Sequence, residues 1–235
     1  MKKLLFVAAA FACGSLLALE SANVVGYAQS QLDTEYGAVM VGAQFIACDG
    51  SSEITLSSLK PVAANMTAED LAGSVEIQTL DSAGLTVDSY VWNGEGWEGD
   101  EGTTFKSGVG LWVFNQVGDS DSVSIQSAGM VQSSDVSVQL DINYGAVAVA
   151  NPFPLSVALS DIVPTCESIS ASDLAGSVEI QTLDSAGQTV DSYIWNGEGW
   201  EGDNNTTFAP GAGLWVFNQV GDADKVYLTF PAPEL

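Results

Sequence analysis

Residues 70–121 of this 235-residue chain read DLAGSVEIQTLDSAGLTVDSYVWNGEGWEGDEGTTFKSGVGLWVFNQVGDSD. The segment returns at residues 173–224, a constant offset of 103, with 44 of its 52 positions identical and no gap. A repeat at a fixed period sets the architecture of a chain. The sequence therefore predicts two homologous units of ordinary domain size, at residues 19–128 and 129–235.

Strand patterns dominate both units. Short alternating runs rich in Val, Ile, Tyr, Trp and Thr are separated by Gly, Asn, Asp and Ser, which is typical of antiparallel strands. We predict an all-β fold in which each unit is a β-sandwich or a partly open barrel. Short helical turns, each ended by a proline, are expected at 54–62 and 157–165. The predicted strands lie near 23–32, 36–47, 74–80, 85–93, 109–115 and 122–127, and near 131–140, 144–152, 177–183, 188–196, 212–218 and 225–230.

The N-terminal 18 residues have the pattern of a secretory signal peptide. Lys2 and Lys3 precede an apolar run, residues 4–18, that is shorter than the roughly 20 residues of a membrane span. We expect cleavage after Ala18, with Ala22 as a second candidate and a lipoprotein-like site at Cys13 as an alternative, and no membrane insertion afterwards. The mature protein is then secreted, either extracellular or held at the cell surface.

The mature chain is strongly acidic. Without the signal it has three lysines, no arginine and no histidine against 30 acidic residues, a net charge of −27. Such a surface repels nucleic acid and anionic lipid. It either keeps an exported protein dispersed or attracts divalent cations or a basic partner. Hydrophobic residues form 46% of the chain, which is ample for a folded core.

Two cysteines remain after signal removal, Cys48 and Cys166, one in each unit and at non-equivalent positions. In an exported protein a Cys48–Cys166 disulfide would join the two units. The sequence leaves this pairing open, because it does not place their Cα atoms within bonding distance.

Alternation within the repeated block predicts one aliphatic face and one aromatic face in each unit. Exposed aromatic rings form a sugar-binding platform, whereas rings covered by a second layer belong to the core, and both interpretations remain open. The candidate ligand-binding residues on or beside this face are Tyr90, Trp92, Trp97 and Trp112, with their copies Tyr193, Trp195, Trp200 and Trp215. Phe114 and Phe217 lie on the same predicted face.

The segment WNGEGWEGD, at 92–100 and 195–203, groups carboxylates around a glycine-rich turn. Calcium takes several oxygen ligands, and a loop of this kind can supply them, although the spacing is not that of an EF-hand. The alternative is an acidic hairpin tip that faces water. The candidate metal ligands are Glu95, Glu98, Asp100, Glu198, Glu201 and Asp203.

Enzymatic chemistry has little support in this sequence. Without histidine, the chain has neither a Ser-His-Asp triad nor a histidine zinc site. It has no phosphate-binding loop motif. Only a carboxylate pair, as in glycoside hydrolysis, remains, and with so many acids that pattern has no specificity. We therefore expect a protein that is not an enzyme.

Two further motifs carry a resemblance. The predicted mature chain begins near NVVGY (23–27), and each unit contains Gly-x-Gly-Leu-Trp-Val-Phe-Asn, at 108–115 and 211–218. The chain resembles a loose class of secreted bacterial β-repeat proteins with an NVVGY start and a Gly-x-Gly-aromatic strand. The resemblance implies secretion and a β fold, and it transfers no functional residues.

Two functions fit these patterns. The first is a structural or adhesive surface protein whose partner is itself, assembled by strand addition between copies. The second is a carbohydrate-binding module with two equivalent aromatic sites, whose partner is a polysaccharide. Calcium could serve either function.

Overall fold

The computed structural model of the chain describes residues 25–32, 37–47, 51–99, 102–117, 122–141, 144–202, 205–221 and 225–233. The fold is all-β, with 51% strand and 5% helix, in two groups of sheets of similar topology. The sheets do not close into a barrel. The predicted all-β class is therefore confirmed, and the open sheets match the sandwich alternative. The predicted signal peptide lies outside the described residues.

The described residues of each unit form ten strands in the same order. In the first unit these are β1 (Val25–Gln31), β2 (Ala38–Gly42), β3 (Glu53–Thr55), β4 (Lys60–Ala63), β5 (Val75–Leu80), β6 (Thr86–Trp92), β7 (Trp97–Glu98), β8 (Thr104–Lys106), β9 (Gly110–Asn115) and β10 (Val123–Met130). In the second unit they are β11 (Val136–Gln139), β12 (Ala146–Ala150), β13 (Val157–Ala158), β14 (Val163–Cys166), β15 (Val178–Leu183), β16 (Thr189–Trp195), β17 (Trp200–Glu201), β18 (Thr207–Phe208), β19 (Gly213–Asn218) and β20 (Val226–Phe230).

The two units share one sheet topology. The first unit has a five-stranded sheet in the order β2-β9-β5-β6-β7, a three-stranded sheet β1-β10-β4 and a strand pair β3-β8. The second unit has β12-β19-β15-β16-β17, β11-β20-β14 and β13-β18. Each described strand of the first unit has a counterpart at the same place in the sheets of the second unit. The duplication seen in the sequence is therefore a duplication of the fold.

Each unit has its own hydrophobic core between its sheets. In the first unit, Ile77 of β5 and Val113 of β9 pack with Val123 and Ile125 of the three-stranded sheet. The second unit builds the equivalent core from its own residues, including Ile180 and Val216. Alternate strand residues supply these side chains, and the removal of their apolar surface from water stabilises the fold by roughly 25 cal/mol per Å².

The predicted helical turns exist, but they end earlier than expected. Short 3-10 helices span Leu56–Ser58 and Leu159–Asp161. The prolines do not end them: Pro61 and Pro164 lie inside β4 and β14. Both strands are at sheet edges, where a residue without an N–H is tolerated. Within the described part of the chain, no helix has the length and apolar character needed to cross a membrane.

The two units meet through matched backbone contacts. The Gly42 N–H donates to the Gly211 carbonyl at 2.9 Å, and the Ala150 N–H donates to the Gly108 carbonyl at the same distance. The first bond joins the end of edge strand β2 to the turn before β19, and the second joins the end of edge strand β12 to the turn before β9. The contacts of the two units are thus reciprocal, which gives the pair an approximate two-fold symmetry.

Candidate functional site

The aromatic residues of each five-stranded sheet are divided between its two faces. Tyr90 of β6 lies opposite Ile77 of β5, and Ile77 lies opposite Val113 of β9, so these three side chains share the core face. Trp112 lies opposite Gln78, one residue out of phase, on the outer face. The prediction of a single aromatic face was therefore wrong. The strand register decides which residues of neighbouring strands share a face. It places the even-numbered residue Tyr90 of β6 on the core face together with the odd-numbered residue Val113 of β9.

Six of the eight predicted aromatic site residues belong to the core. Tyr90, Trp92 and Trp97 are at most 7% exposed. The indole N–H of Trp92 donates to the Ala68 carbonyl at 2.9 Å, and that of Trp97 donates to the Leu59 carbonyl at 2.7 Å. Tyr193, Trp195 and Trp200 are buried in the same way in the second unit. Of the two interpretations left open by the sequence, the exposed platform is wrong for these six residues, because they are buried in the cores of their units.

Trp112 and Trp215 occupy a different environment, since both are half-buried and face one cavity between the units. We call this cavity the inter-unit groove. Its volume is about 490 Å³, within the range of about 300–1,000 Å³ typical of small-molecule sites. Six repeat-equivalent pairs and one alanine line it: Gln78 and Gln181, Leu80 and Leu183, Gly84 and Gly187, Thr86 and Thr189, Trp112 and Trp215, Phe114 and Phe217, and Ala83.

The β5–β6 and β15–β16 hairpins bring these residues together. The Ser82 carbonyl at one hairpin tip accepts from the Ala146 N–H at 3.2 Å, and the Ser185 carbonyl accepts from the Ala38 N–H at 3.3 Å. Each tip therefore contacts the opposite unit at the start of its edge strand. The tip glycine of each hairpin, Gly84 or Gly187, lies beside the tryptophan of the opposite unit.

A hydrogen-bonded relay fixes the polar side chains of each half. Thr86 Oγ1 donates to Gln78 Oε1, and Gln78 Nε2 donates to Glu76 Oε1, both at 2.6 Å. Ser89 Oγ donates to the same carboxylate oxygen at 2.6 Å. An ionised carboxylate only accepts hydrogen bonds, so this contact determines which way the amide points. The amide is held in place before any ligand arrives.

The second unit repeats this relay with the same three distances. Thr189 donates to Gln181, and both Gln181 and Ser192 donate to Glu179. None of the described residues that line the groove carries a charge. The site is thus a neutral aromatic groove with a fixed amide and hydroxyl on each wall.

Four of the six predicted metal ligands lie in the part of the chain that the structure describes. Glu95, Glu98, Glu198 and Glu201 lie at the acidic hairpins, whereas Asp100 and Asp203 lie outside the described residues. In the ranges that the structure describes, no three Asp, Glu, Cys or His side chains are placed to hold a metal ion. The Asn93 side chain instead organises the first hairpin, because its Oδ1 accepts from the N–H groups of Glu95 and Gly96.

The Cys48–Cys166 disulfide stays a prediction, because Cys48 lies outside the described residues. Cys166 ends β14, is half-buried, and has its Sγ 3.5 Å from Ser168 Oγ.

The sequence patterns did not single out Gln78, Gly84 or Thr86 as site residues. The one feature of the sequence that could have indicated them is that each is identical in both copies of the repeat. No protein-family model matches the chain, and no curated protein matches it.

Proposed function

We propose that the protein is an exported, non-catalytic binding protein that holds a carbohydrate in the inter-unit groove. One observation carries the proposal: Trp112 and Trp215, from different copies of the repeat, face the same cavity beside fixed amide and hydroxyl groups. Indole rings present large, stiff apolar surfaces, and sugars combine C–H faces with hydroxyl groups. In the groove, the indole rings can contact the C–H face of a sugar, and the amide and hydroxyl groups can bind its hydroxyls.

The residues that line the inter-unit groove fit a protein that binds a carbohydrate without hydrolysing it. Glycoside hydrolysis requires two carboxyl groups that flank the scissile bond. Among the described lining residues there is no carboxylate. The nearby Glu76 and Glu179 each accept two side-chain hydrogen bonds, which suits a role in holding the glutamine amides.

The proposal includes export of the protein and an adhesive function outside the cytoplasm. The signal-like N-terminus and the excess of 30 acidic residues over three lysines from residue 19 onward fit a protein that works outside the cytoplasm. Retention on a polysaccharide would attach such a protein to a cell surface or to an extracellular matrix. The adhesive function suggested by the sequence is then a consequence of carbohydrate binding.

The test is retention of the chain from residue 19 on a panel of insoluble polysaccharides. The double variant Trp112→Ala/Trp215→Ala is expected to lose retention. Tyr27→Ala/Tyr144→Ala is the matched control, because both tyrosines are at least 57% exposed and lie outside the groove lining. Equal retention of the two double variants, or no retention of the parent chain on any polysaccharide, would contradict the proposal.

Self-assembly is a second candidate function, and strand β1 is the observation that favours it. This seven-residue strand lies at the edge of its sheet and, among the described strands, pairs with β10 alone. Edge strands of this length are templates for pairing with another chain. Light scattering on a size-exclusion column tests it: concentration-dependent multimers support assembly, and a monomer at high concentration removes it.

A further inference from the structure

We infer that the inter-unit groove binds one neutral, unbranched glycan per chain, with a sugar ring on each tryptophan; this inference rests on the proposed function. The sequence predicted two equivalent sites, one for each unit. The structure instead brings Trp112 and Trp215 to one cavity. A single ligand therefore contacts both copies of the repeat, and one chain takes up one ligand.

The charge of the groove selects neutral glycans. The polar side chains of its described lining are the amides of Gln78 and Gln181 and the hydroxyls of Thr86 and Thr189. The chain from residue 19 has a net charge of −27, and no lysine in the described lining offsets it. A field of this sign repels anionic polymers. Uronic acid and sulfated chains are therefore disfavoured relative to uncharged ones.

Each glutamine amide keeps hydrogen-bonding capacity for a ligand. A primary amide has two N–H donors and two oxygen lone pairs. In the described contacts, Gln78 uses one donor toward Glu76 and one lone pair toward Thr86. The second donor and second lone pair match a sugar hydroxyl, which both donates and accepts. Gln78 lies directly opposite Trp112 on the neighbouring strand, so this polar contact sits beside the stacking surface.

The other half of the groove repeats the arrangement, with Gln181 opposite Trp215. The groove therefore offers two identical subsites, each with one indole and one fixed amide. A chain of like sugars satisfies two identical subsites with two of its rings. A single small sugar reaches one subsite only, so affinity should rise with chain length until both indoles are covered.

The hairpin tips restrict the shape of the ligand. Gly84 and Gly187 line the groove next to the indole of the opposite unit, and we expect a branch on a sugar stacked there to crowd the tip. Rings with equatorial hydroxyls expose C–H groups on both faces and suit stacking on an indole. Unbranched β-1,4-linked gluco-oligosaccharides are the simplest chains with these properties.

A cationic ligand is the competing chemistry, because quaternary ammonium groups also bind aromatic side chains. One observation favours the sugar. The nearest carboxylates, Glu76 and Glu179, already accept hydrogen bonds within the relays.

The experiment is isothermal titration calorimetry of the chain from residue 19 with three probes: cellohexaose, a hexamer of galacturonic acid, and choline. We expect cellohexaose to bind with one site per chain and the other two probes to bind at least about tenfold more weakly. Trp112→Ala and Trp215→Ala should each weaken cellohexaose binding at least about tenfold. Tyr27→Ala should leave it unchanged. Trp112→Phe, which keeps a smaller ring, should lie between the parent and the alanine variant, and far-UV circular dichroism verifies that each variant is folded.

The outcomes separate this inference from the proposed function. Two sites per chain, or a preference for the galacturonic acid hexamer, overturns the inference and leaves carbohydrate binding in place. No binding of cellohexaose also overturns it, and retention on another polysaccharide in the panel then preserves the proposed function. Binding of choline without binding or retention on any carbohydrate overturns both.

Discussion

Trp112 of the first unit lies against Gly187 of the second: a Cβ built on Gly187 would stand 3.8 Å from Cζ2 of the indole. The reverse contact joins Trp215 to Gly84 at 3.7 Å. Both glycines have positive φ angles, 75° and 78°, in the region that favours glycine. The hairpin tip of one unit and the tryptophan of the other therefore form a single structural element of the groove.

Replacement of the hairpin glycines should weaken the fold. In Gly84→Ala and Gly187→Ala, a left-handed backbone with a Cβ costs about 1–2 kcal/mol. Urea denaturation should show this loss of unfolding free energy in each variant. Gly96→Ala and Gly199→Ala are the controls, since those glycines have no positive φ and open space around the added Cβ. Equal stabilities in the two sets would contradict the role of the tips.

The buried tryptophans should matter for stability and not for ligand binding. In Trp97→Phe, the Leu59 carbonyl loses the indole N–H that donates to it at 2.7 Å, and an unpaired buried acceptor costs about 1–3 kcal/mol. Trp200→Phe removes the equivalent bond to the Ile162 carbonyl and should cost a similar amount. Thermal unfolding and the calorimetric titration measure the two effects separately. A changed ligand affinity at normal stability would place Trp97 in the binding site and contradict this assignment.

The close approach of the units should be sensitive to one added methyl group. A Cβ on Gly110 would lie 2.9 Å from backbone atoms of Ala148 and Val149 in the other unit. Gly110→Ala should therefore force the units apart, at a cost of about 1–3 kcal/mol. Hydrogen exchange of the Gly42 amide, which donates across the interface, should accelerate in the variant. Unchanged exchange at Gly42 would show that the interface absorbs the methyl group without opening.

The Asp70 carboxyl gives the first unit a pH-dependent contact. Thr67 Oγ1 donates to Asp70 Oδ2 at 2.7 Å and the Thr67 N–H donates to the same oxygen at 2.8 Å, and together these bonds lower the pKa of Asp70 from its ordinary value of 3.8. Because the folded pKa lies below the unfolded one, this contact contributes fully above the unfolded pKa and is lost as pH falls through the folded pKa. Thr67→Ala should raise the Asp70 pKa toward 3.8 in an NMR titration. Thr67→Ser should keep it low, and equal pKa values in the two variants would contradict the hydroxyl as the main cause.

The strand pattern could be predicted well from the sequence. β5 at Val75–Leu80 and β9 at Gly110–Asn115 lie within one residue of the predicted ranges at both ends, whereas β2 at Ala38–Gly42 ends five residues before the end of its predicted range. Most strands of two to four residues were missed, because so few residues carry too little alternation to indicate a strand. Residues 128–130 lie between the predicted strands 122–127 and 131–140, but they continue β10 through pairing with β1, a long-range contact.

The site was predicted less well, for two physical reasons. Alternation identifies which residues of one strand share a face. It does not determine whether Tyr90 and Trp112, on different strands, lie on the same face of the sheet, because that depends on the strand register. The groove also depends on how the two units pack, which a repeat does not determine. Trp112 and Trp215 were predicted as ligand-binding residues, but the hairpin tips that complete the groove around them come from the opposite units.

The unequal burial of the tryptophans has an optical consequence. All six tryptophans of the chain are in the repeated block, and four of them are sealed in the two cores while Trp112 and Trp215 are half-buried in the groove. A soluble quencher such as acrylamide should therefore reach the emission of these two indoles first. An occupant that covers them should protect that part of the emission and shift it to the blue. The chain thus carries an intrinsic, label-free reporter of its own groove, one indole for each half.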